Sequence, residues 1–294
     1  MIPRRFKYLS PTSLDEAVTM LGDYGPEAKV LAGGQSLIPM MKLQLAAPAC
    51  IVDINRIPGL EELYEDNEVL HIGSLTRERV LDASQLIRTR YPILHDTAAV
   101  IADPLVRNMA TVGGNLAHGD PANDHPATML ALGAQVTTRG PEGERTIPLS
   151  EFFEGPLTTA LKEAEILTEI QVPALPPGSG SAYLKLERKV GDYATAGVAA
   201  VITMRDGVCQ RAGIGLTNAG PTPIKAAATE SFLVGKRLDD DTIREAGRRA
   251  ALEAHPSADL RGPAEYKRDM VRVLTGRAIR LALARIGQGQ RQIA

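Results

Sequence analysis

Cysteine and tryptophan are scarce in this chain of 294 residues, which has two cysteines and no tryptophan. An iron–sulfur cluster usually takes about four cysteine ligands, so this chain cannot hold such a cluster by itself. Cys50 and Cys209 each lie inside an apolar segment, where buried free thiols are expected. The aromatic content of 4% argues against a surface that stacks on nucleic-acid bases.

A strong charge of either sign and a long apolar run are also missing. The formal net charge is -2 and the sequence pI is about 6.2, so nothing indicates a nucleic-acid partner. No apolar run approaches the ~18 residues that a membrane helix needs, and residues 1–6 are not followed by the apolar stretch of a signal peptide. We therefore expect a cytoplasmic protein, with peripheral association at the inner face of the membrane as an alternative.

Hydrophobic periodicity and turn residues predict a mixture of helices and strands before residue 173. Ser13 to Glu16 form a capping box, and a glycine-rich stretch at 110–126 interrupts the later elements. The predicted strands cover residues 29–31, 50–54, 69–73, 135–138, 145–147 and 165–172, and the predicted helices cover about 13–22, 76–83, 91–102 and 127–133.

Residues 173–181 are rich in Pro, Gly and Ser and are the best candidate for a linker. Strands followed by helices predict a second α+β domain, with helices on one face of a sheet. The strands are predicted at about 182–188, 197–204 and 208–217, and the helices at about 223–234, 241–254 and 264–285. Residues 287–294 are polar and are predicted to fray.

Two similar segments, Ala32 to Ser36 and Thr111 to Asn115, each contain a pair of glycines. Tandem glycines allow positive φ and let a ligand approach the main chain closely. Successive amide N–H groups in such turns form a nest that binds anions, and two nests would suit the two charged groups of a diphosphate. The alternative is that both segments are ordinary tight turns, and the spacing alone favours neither interpretation.

Two other segments imitate known motifs. Gly213 to Gly220 lacks the third glycine of the dinucleotide fingerprint, so we interpret it as a glycine-bearing strand and turn. His118 to His125 contains two histidines and two aspartates, which could be a metal site. We favour Asp124 as an acceptor for ligand hydroxyls, such as those of a ribityl or ribose group, and Asp120 and Asn123 as caps of the next helix.

A basic stretch from Lys185 ends in a turn at Gly191 and Asp192 and then presents Tyr193. An aromatic side chain on such a loop could stack against a flat ring, and a nearby cation could stabilise a reduced, anionic flavin. The alternative, a charged edge strand followed by a buried tyrosine, is equally compatible with the sequence.

At these residues the chain resembles the FAD-binding medium subunits of the molybdenum hydroxylase family, especially those of aerobic carbon monoxide dehydrogenases. The family's two FAD segments, Ala-Gly-Gly-x-Ser and Thr-Ile/Val-Gly-Gly-Asn, match residues 32–36 and 111–115. Gln35 departs from the family, which commonly has a histidine there, so the role of this side chain stays open. Further matches lie at residues 37–42, 101–104, 119–124, 188–196 and 262–266.

The resemblance implies an α+β fold. A two-subdomain FAD-binding fold, similar to that of vanillyl-alcohol oxidase, precedes a C-terminal domain of three strands and a helical bundle. The implied domains are residues 1–175, with subdomains at about 1–57 and 58–175, and residues 176–294.

FAD is the cofactor that the resemblance implies. Both glycine pairs, with Ser36 and Asn115, hold its diphosphate, Asp124 takes hydroxyls, Lys185 lies near the ring, and Tyr193 stacks beside it. No catalytic residue and no metal ligand is assigned to the chain. The implied FAD-binding residues are Leu31, Ala32, Gly33, Gly34, Gln35, Ser36, Leu37, Ile101, Ala102, Ala110, Thr111, Gly113, Gly114, Asn115, Asp124, Ile166, Leu167, Lys185 and Tyr193.

The resemblance also implies partners. Substrate is oxidised at a molybdenum cofactor in a large subunit, and electrons cross [2Fe–2S] clusters in a small subunit to reach this FAD and then a quinone or another acceptor. The implied assembly is a dimer of heterotrimers. Carbon monoxide is the expected substrate, although related subunits serve N-heterocycle and aldehyde dehydrogenases.

Two other functions are compatible with the residues. A self-sufficient flavin oxidoreductase of the same fold would need a proton donor opposite the flavin, and the sequence offers no clear candidate. A non-catalytic scaffold subunit would use the glycine pairs only as turns and would be colourless when purified.

Overall fold

Three β-sheets and a small two-stranded sheet form the framework of the computed structural model, which describes residues 2–286. The strands are β1 (Lys7–Leu9), β2 (Ala28–Leu31), β3 (Cys50–Asp53), β4 (Leu63–Asp66), β5 (Val69–Gly73), β6 (Gln135–Gly140), β7 (Gly143–Pro148), β8 (Phe153–Gly155), β9 (Thr158–Thr159), β10 (Ile166–Pro173), β11 (Ser179–Leu186), β12 (Ala196–Arg205), β13 (Val208–Thr217) and β14 (Ile224–Lys225). The α-helices are α1 (Leu14–Tyr24), α2 (Leu37–Lys42), α3 (Glu78–Ala83), α4 (Gln85–Arg90), α5 (Pro92–Ala99), α6 (Pro104–Met109), α7 (Val112–His118), α8 (Asp124–Leu132), α9 (Ala227–Leu233), α10 (Asp240–Glu253) and α11 (Ala264–Ala284).

The first sheet is parallel, with strand order β1-β3-β2. The strands predicted at 29–31 and 50–54 are confirmed as β2 and β3. Helix α1 begins as predicted, because Ser13 Oγ accepts a hydrogen bond from the Glu16 amide at 3.2 Å. Its apolar stripe, which includes Ala17, packs into the core of this sheet. Strand β1 was not predicted, because its residues are largely exposed and show no apolar alternation.

The second sheet is antiparallel, with strand order β4-β5-β10-β6-β7. The strands predicted at 69–73 and 165–172 and the predicted hairpin are confirmed as β5, β10 and the β6–β7 pair. Leu70 and Ile72 belong to the core that this sheet shares with helices α5 and α8. Strand β4 was missed, because every second residue of it is exposed.

The helices in this part differ from the predictions in their bounds and in their number, since α2, α4 and α6 were not predicted. The helix predicted at 91–102 ends at Ala99, and the one predicted at 127–133 begins earlier, at Asp124. The glycine-rich stretch also contains helix α7, which was not predicted. Helix α7 forms despite its glycines because Thr111 Oγ1 accepts from the Gly114 amide at 3.1 Å and caps its first turn.

The third sheet has the strand order β11-β12-β13-β14. The three predicted strands are confirmed, and Gly213 to Thr217 lie in β13, as the strand interpretation required. Residues 224–225, predicted as helical, instead pair with β13 as a fourth strand, and helix α9 begins at Ala227. The predicted linker is shorter than expected, because β11 begins at Ser179. The fraying predicted for 287–294 concerns residues outside the described part.

The third sheet is covered on both faces. Ala199 and Val201 of β12 join the core around helix α8, while Val198 and Ala200 join the core formed with helices α10 and α11. The backbone of α8 touches β13 directly at its glycines, since a Cβ at Gly215 would overlap the Ala127 carbonyl. None of the helices within residues 2–286 is both long and apolar enough to cross a membrane.

We expect Gly215→Ala to destabilise the protein by about 1–3 kcal/mol, because the added methyl group forces α8 away from β13. Gly22→Ala is the matched control, because Gly22 lies in helix α1 with no atom within 4 Å of an added Cβ. This control should be stabilised by up to ~1 kcal/mol through helix propensity. Urea unfolding of both variants measures the difference, and a neutral Gly215→Ala would contradict the close contact.

Candidate functional site

The two double-glycine segments lie against each other, although about eighty residues separate them in the sequence. A Cβ at Gly33 would overlap the Met109 carbonyl oxygen and would lie 2.9 Å from Ala110 Cα. A Cβ at Gly114 would lie 3.7 Å from Ala32 Cβ. The structure therefore places both segments at one location, where glycine is required at residue 33 for the close approach.

The first segment follows strand β2 and leads into helix α2. Gly34 has φ +73°, a conformation that favours glycine. Within residues 2–286, the amides of residues 33–37 donate no hydrogen bond to a main-chain or side-chain acceptor. The Gln35 side chain does not bond these amides, because its Nε2 donates to the Gly33 carbonyl at 3.2 Å. This run of available amides can bind an anion.

The second segment differs from the open loop that the sequence suggested. Its amides are already used: Val112 donates to Thr76 O at 3.0 Å, Gly113 to Ser74 O at 3.1 Å, and Gly114 to Thr111 Oγ1. It therefore does not form a second nest of free amides. Its glycine pair is explained by packing, because a Cβ at Gly113 would lie only 2.5 Å from Ser74 Cβ.

In the second segment, the Asn115 side chain has a polar atom that remains available to a ligand. Its side-chain oxygen Oδ1 is buried and has no hydrogen-bond partner among the described residues. A buried acceptor without a partner is costly, which indicates that a ligand donates to it or that water does.

Ile166 and Leu167 lie at the start of strand β10, at the junction of the first two sheets. Ile166 belongs to the core of the first sheet, and Leu167 to the core of the second. Their side chains are 2% and 5% exposed. Because these exposures include the backbone, little of either residue is available to a ligand.

Asp124 is buried and is held by two residues of the third sheet. Its Oδ1 accepts from Tyr183 Oη at 2.6 Å, and its Oδ2 accepts from Lys185 Nζ at 2.9 Å. Lys185 Nζ also donates to the Val100 carbonyl at 3.0 Å. Burial raises the pKa of Asp124, although Lys185 opposes this shift, and burial raises the pKa of Tyr183 well above its usual range. A hydroxyl-binding Asp124 would thus share its oxygens with two protein donors.

The capping roles predicted before α8 are wrong, because neither side chain caps the helix. Asp120 Oδ1 accepts from the Ala122 amide at 2.8 Å, so it stabilises the turn before the helix. Asn123 occupies the N-cap position but makes no side-chain cap. Its Nδ2 instead donates to the Asn115 carbonyl at 2.9 Å. This bond joins the second glycine segment to the start of α8, beside Asp124.

The side chains considered as a metal site point to different partners. His125 Nε2 lies 2.7 Å from Glu78 Oε2, and both side chains are fully buried. Asp124 faces Lys185 instead. Across residues 2–286, no group of three or more His, Cys, Asp or Glu residues is placed to hold a metal ion.

Tyr193 lies on a loop that the Asp192 carboxylate holds in place. Asp192 accepts from Arg261 Nη2 at 2.7 Å, from Arg188 Nε at 3.0 Å and from the Tyr193 amide at 2.8 Å. The ring of Tyr193 is 43% exposed, so the alternative of a buried tyrosine is wrong. The Arg261 guanidinium lies 5.4 Å from the ring centroid.

This loop lies against the residues predicted at 101–102. Gly191 has φ +82°, and a Cβ there would lie 2.8 Å from the Ala102 carbonyl oxygen. Ala102 itself has φ 45°, and Ile101 beside it is buried. A series of contacts thus connects the second glycine segment to the Tyr193 loop. Asn123 bonds the Asn115 carbonyl, and its neighbour Asp124 bonds Lys185. Lys185 bonds the Val100 carbonyl, close to Ala102, which Gly191 contacts.

Sequence reasoning missed three polar residues at this site. Tyr183 bonds Asp124, Asn55 Nδ2 donates to the Ala32 carbonyl at 2.8 Å, and Arg77 Nη1 donates to the Met109 carbonyl. Asn55 follows a predicted strand, which is a weak signal. Arg77 and Tyr183 lie in regular segments whose patterns gave no reason to select them.

Comparisons with known proteins match nearly the whole chain. A family model described as the FAD binding domain in molybdopterin dehydrogenase matches residues 4–175, and one described as the CO dehydrogenase flavoprotein C-terminal domain matches residues 181–282. The chain is 45% identical over 285 residues to the carbon monoxide dehydrogenase medium chain of Hydrogenophaga pseudoflava, covering 97% of this chain and 99% of that one.

Two further matches are similarly extensive. The 6-hydroxypseudooxynicotine dehydrogenase complex subunit alpha of Paenarthrobacter nicotinovorans is 38% identical, with 97% of both chains covered. A solved structure of carbon monoxide dehydrogenase from Hydrogenophaga pseudoflava, which lacks the Mo-pyranopterin moiety, superposes with a TM-score of 0.96 at 46% identity. That superposition covers 98% of this chain and 100% of the other.

We expect the stabilising effect of Asp192 to depend on pH. Hydrogen bonding from Arg261 lowers the pKa of Asp192 from 3.8 to about 2 in the folded protein. A carboxylate with a lowered folded pKa stabilises the protein fully above its unfolded pKa and loses this effect as the pH falls toward its folded pKa. Asp192→Asn should therefore be less stable than the wild type near neutral pH, and the difference should shrink between about pH 4 and pH 2.

Urea unfolding across this pH range measures the difference. Asp206→Asn is the control, because the Asp206 side chain is 94% exposed in a hairpin turn. A difference between wild type and Asp192→Asn that stays constant down to about pH 2 would contradict the anchoring by Arg261.

Proposed function

Because the chain belongs to the family of FAD-binding medium chains of molybdenum hydroxylases, we propose that it is the electron-transfer subunit of a carbon monoxide dehydrogenase. The observation that carries this proposal is the contact between Gly33 and the Met109–Ala110 backbone. This contact brings both double-glycine segments of an FAD-binding domain to one place. The 45% identity to a carbon monoxide dehydrogenase medium chain over nearly its full length supports the specific substrate.

The residues at this location suit FAD. The available amides of residues 33–37 would take the diphosphate, and the unpartnered Asn115 Oδ1 would accept from a ligand N–H or O–H. The proposed FAD-binding residues are Leu31, Ala32, Gly33, Gly34, Gln35, Ser36, Leu37, Ile101, Ala102, Ala110, Thr111, Gly113, Gly114, Asn115, Asp124, Ile166, Leu167, Lys185 and Tyr193.

FAD supplies the electron chemistry, because it takes up and releases electrons singly or in pairs. The chain's own residues bind and orient it. Lys185 lies 2.9 Å from Asp124 and 3.4 Å from Glu187, and it would place its ammonium group near the ring as part of this charged cluster. Tyr193 would offer an exposed aromatic face for stacking.

Molybdenum hydroxylases are multi-subunit enzymes, so a medium chain has large and small subunits as partners. We propose that the large subunit binds molybdopterin, that the small subunit carries [2Fe–2S] clusters, and that the assembly is a dimer of heterotrimers. We further propose a quinone as electron acceptor and a cytoplasmic location, with peripheral association at the inner membrane face as the alternative. The proposed domain boundary is at residues 175–176, with the subdomain boundary at about 57.

A related substrate class is the second candidate. The relative from Paenarthrobacter nicotinovorans belongs to a 6-hydroxypseudooxynicotine dehydrogenase complex, and 97% of this chain aligns with it at 38% identity. An N-heterocycle or aldehyde hydroxylase is therefore the main alternative to carbon monoxide dehydrogenase. The medium chain cannot decide between them by its own residues, because substrate is oxidised in the large subunit.

Activity of the intact complex tests the proposed substrate. The complex, purified through a tag on this chain, should contain molybdenum and iron and should reduce a dye acceptor when carbon monoxide is supplied. Dye reduction with an N-heterocycle or an aldehyde, but not with carbon monoxide, would move the chain to the second candidate. Purification of the chain free of flavin and of both partners would contradict the proposal altogether.

We expect Gly33→Val to abolish FAD retention, because its side chain would overlap the Met109 carbonyl and separate the two segments. Gly22→Val is the control and should stay yellow, because Gly22 has no atom within 4 Å of an added Cβ. The flavin-to-protein absorbance ratio after gel filtration measures retention. A Gly33→Val protein as yellow as its control would show that the two segments do not hold the cofactor.

A further inference from the structure

We propose that Asn55 and Arg77 form a clasp that sets the spacing and orientation of the two FAD-binding segments. Neither residue belongs to a glycine segment. The inference rests on the proposed function, because it assigns these residues a positioning role in FAD binding.

The clasp is a chain of three hydrogen bonds. Asn55 Nδ2 donates to the Ala32 carbonyl at 2.8 Å, on the first segment. Arg77 Nη2 donates to Asn55 Oδ1 at 2.5 Å, and Arg77 Nη1 donates to the Met109 carbonyl, just before the second segment. The Asn55 and Arg77 side chains thus link the Ala32 carbonyl to the Met109 carbonyl. Gly33 follows the first of these carbonyls and packs against the second.

Asn55 is held in one orientation by the end of strand β3. Asp53 Oδ1 accepts from the Asn55 amide at 2.9 Å and from Asn55 Nδ2 at 2.6 Å. Tyr8 Oη in turn donates to Asp53 Oδ2. Because Nδ2 faces two acceptors and Oδ1 faces a guanidinium donor, the direction of the Asn55 amide is determined.

Arg77 is fixed at its own main chain. It pairs with Thr111 as an antiparallel bridge, and the neighbouring Glu78 amide donates to the Ala110 carbonyl at 3.0 Å. Its side chain therefore starts from a backbone already attached to the second segment. The planar guanidinium can reach two acceptors at once with fixed geometry.

The bond to Ala32 determines where the Gly33 amide points. A trans peptide is planar, and its C=O and N–H groups point in opposite directions. Holding the Ala32 carbonyl oxygen toward Asn55 therefore directs the Gly33 N–H away from Asn55. Since no acceptor among the described residues takes that N–H, the clasp leaves it available to a ligand.

The bond to Met109 maintains the close approach of the segments. The same Met109 oxygen that Arg77 binds is the atom that any Cβ at Gly33 would overlap. Removing the guanidinium would let this carbonyl turn away, and the two segments could then separate. FAD would have to restore their spacing on binding, which weakens its affinity.

FAD titration of the full-length chain, stripped of flavin, tests this role. Asn55→Ala and Arg77→Gln should each raise the Kd for FAD roughly ten- to hundredfold, as expected for loss of hydrogen bonds to a charged group. Arg79→Gln is the matched control, because Arg79 is an exposed arginine two residues further along the chain, in helix α3. It should leave the Kd unchanged.

Two further comparisons separate the clasp from other roles. Arg77→Lys keeps the charge but not the two-armed geometry, so the clasp predicts a Kd close to that of Arg77→Gln. A wild-type Kd in Arg77→Lys would instead mean that Arg77 acts as a charge on the diphosphate, and would overturn the clasp. The melting temperature of the flavin-free variants should stay near that of the Arg79→Gln control, since a positioning role acts on the ligand.

The double variant gives the sharpest result. Because the two side chains form one bridge, Asn55→Ala combined with Arg77→Gln should bind FAD no more weakly than the weaker single variant. Fully additive losses, or single variants with unchanged Kd, would overturn the clasp while leaving FAD binding intact. A wild-type chain that fails to bind FAD would overturn the proposed function, and the clasp with it.

Discussion

The close contact of two backbone segments, at Gly33 and at Met109–Ala110, is the constraint on which the site depends. It requires a residue without a side chain at position 33. It places the first segment, whose amides at residues 33–37 are available, against the residues that lead into helix α7. The segments contribute unequally, because the first provides free amides while the second uses its own amides to cap and pack α7. An anion held here would meet the free amides of the first segment only.

The C-terminal domain completes the site by packing on the helix that carries Asp124. The glycines of β13 bring the backbone of α8 into direct contact with the third sheet. That contact allows Tyr183 and Lys185 of β11 to reach the Asp124 carboxylate. The stable burial of this charged group depends on Lys185, because a buried carboxylate without a partner is strongly unfavourable. The packing of the C-terminal domain on α8 therefore also determines the position of the Lys185 ammonium group, which we propose lies near the flavin ring.

Much of the fold could be predicted from sequence, because the long strands and helices carry clear hydrophobic periods. Strands β1 and β4 escaped prediction because they are short and largely exposed. The glycine segments were recognisable, but the Val112 and Gly113 amides donate to residues 74–76, and no local pattern shows those bonds. The internal partners of Asp124 could not be predicted either, since Tyr183 lies 59 residues away, in the third sheet.

The most direct measurement is a crystal structure of the chain with FAD bound. The account predicts that the diphosphate oxygens lie within hydrogen-bond distance of the amides of residues 33–37 and beside the start of α7. It also predicts that the ring lies near Lys185 and Tyr193. A diphosphate bound away from both segments, with Gly33 still packed against Met109, would contradict the central claim that this contact builds the cofactor site.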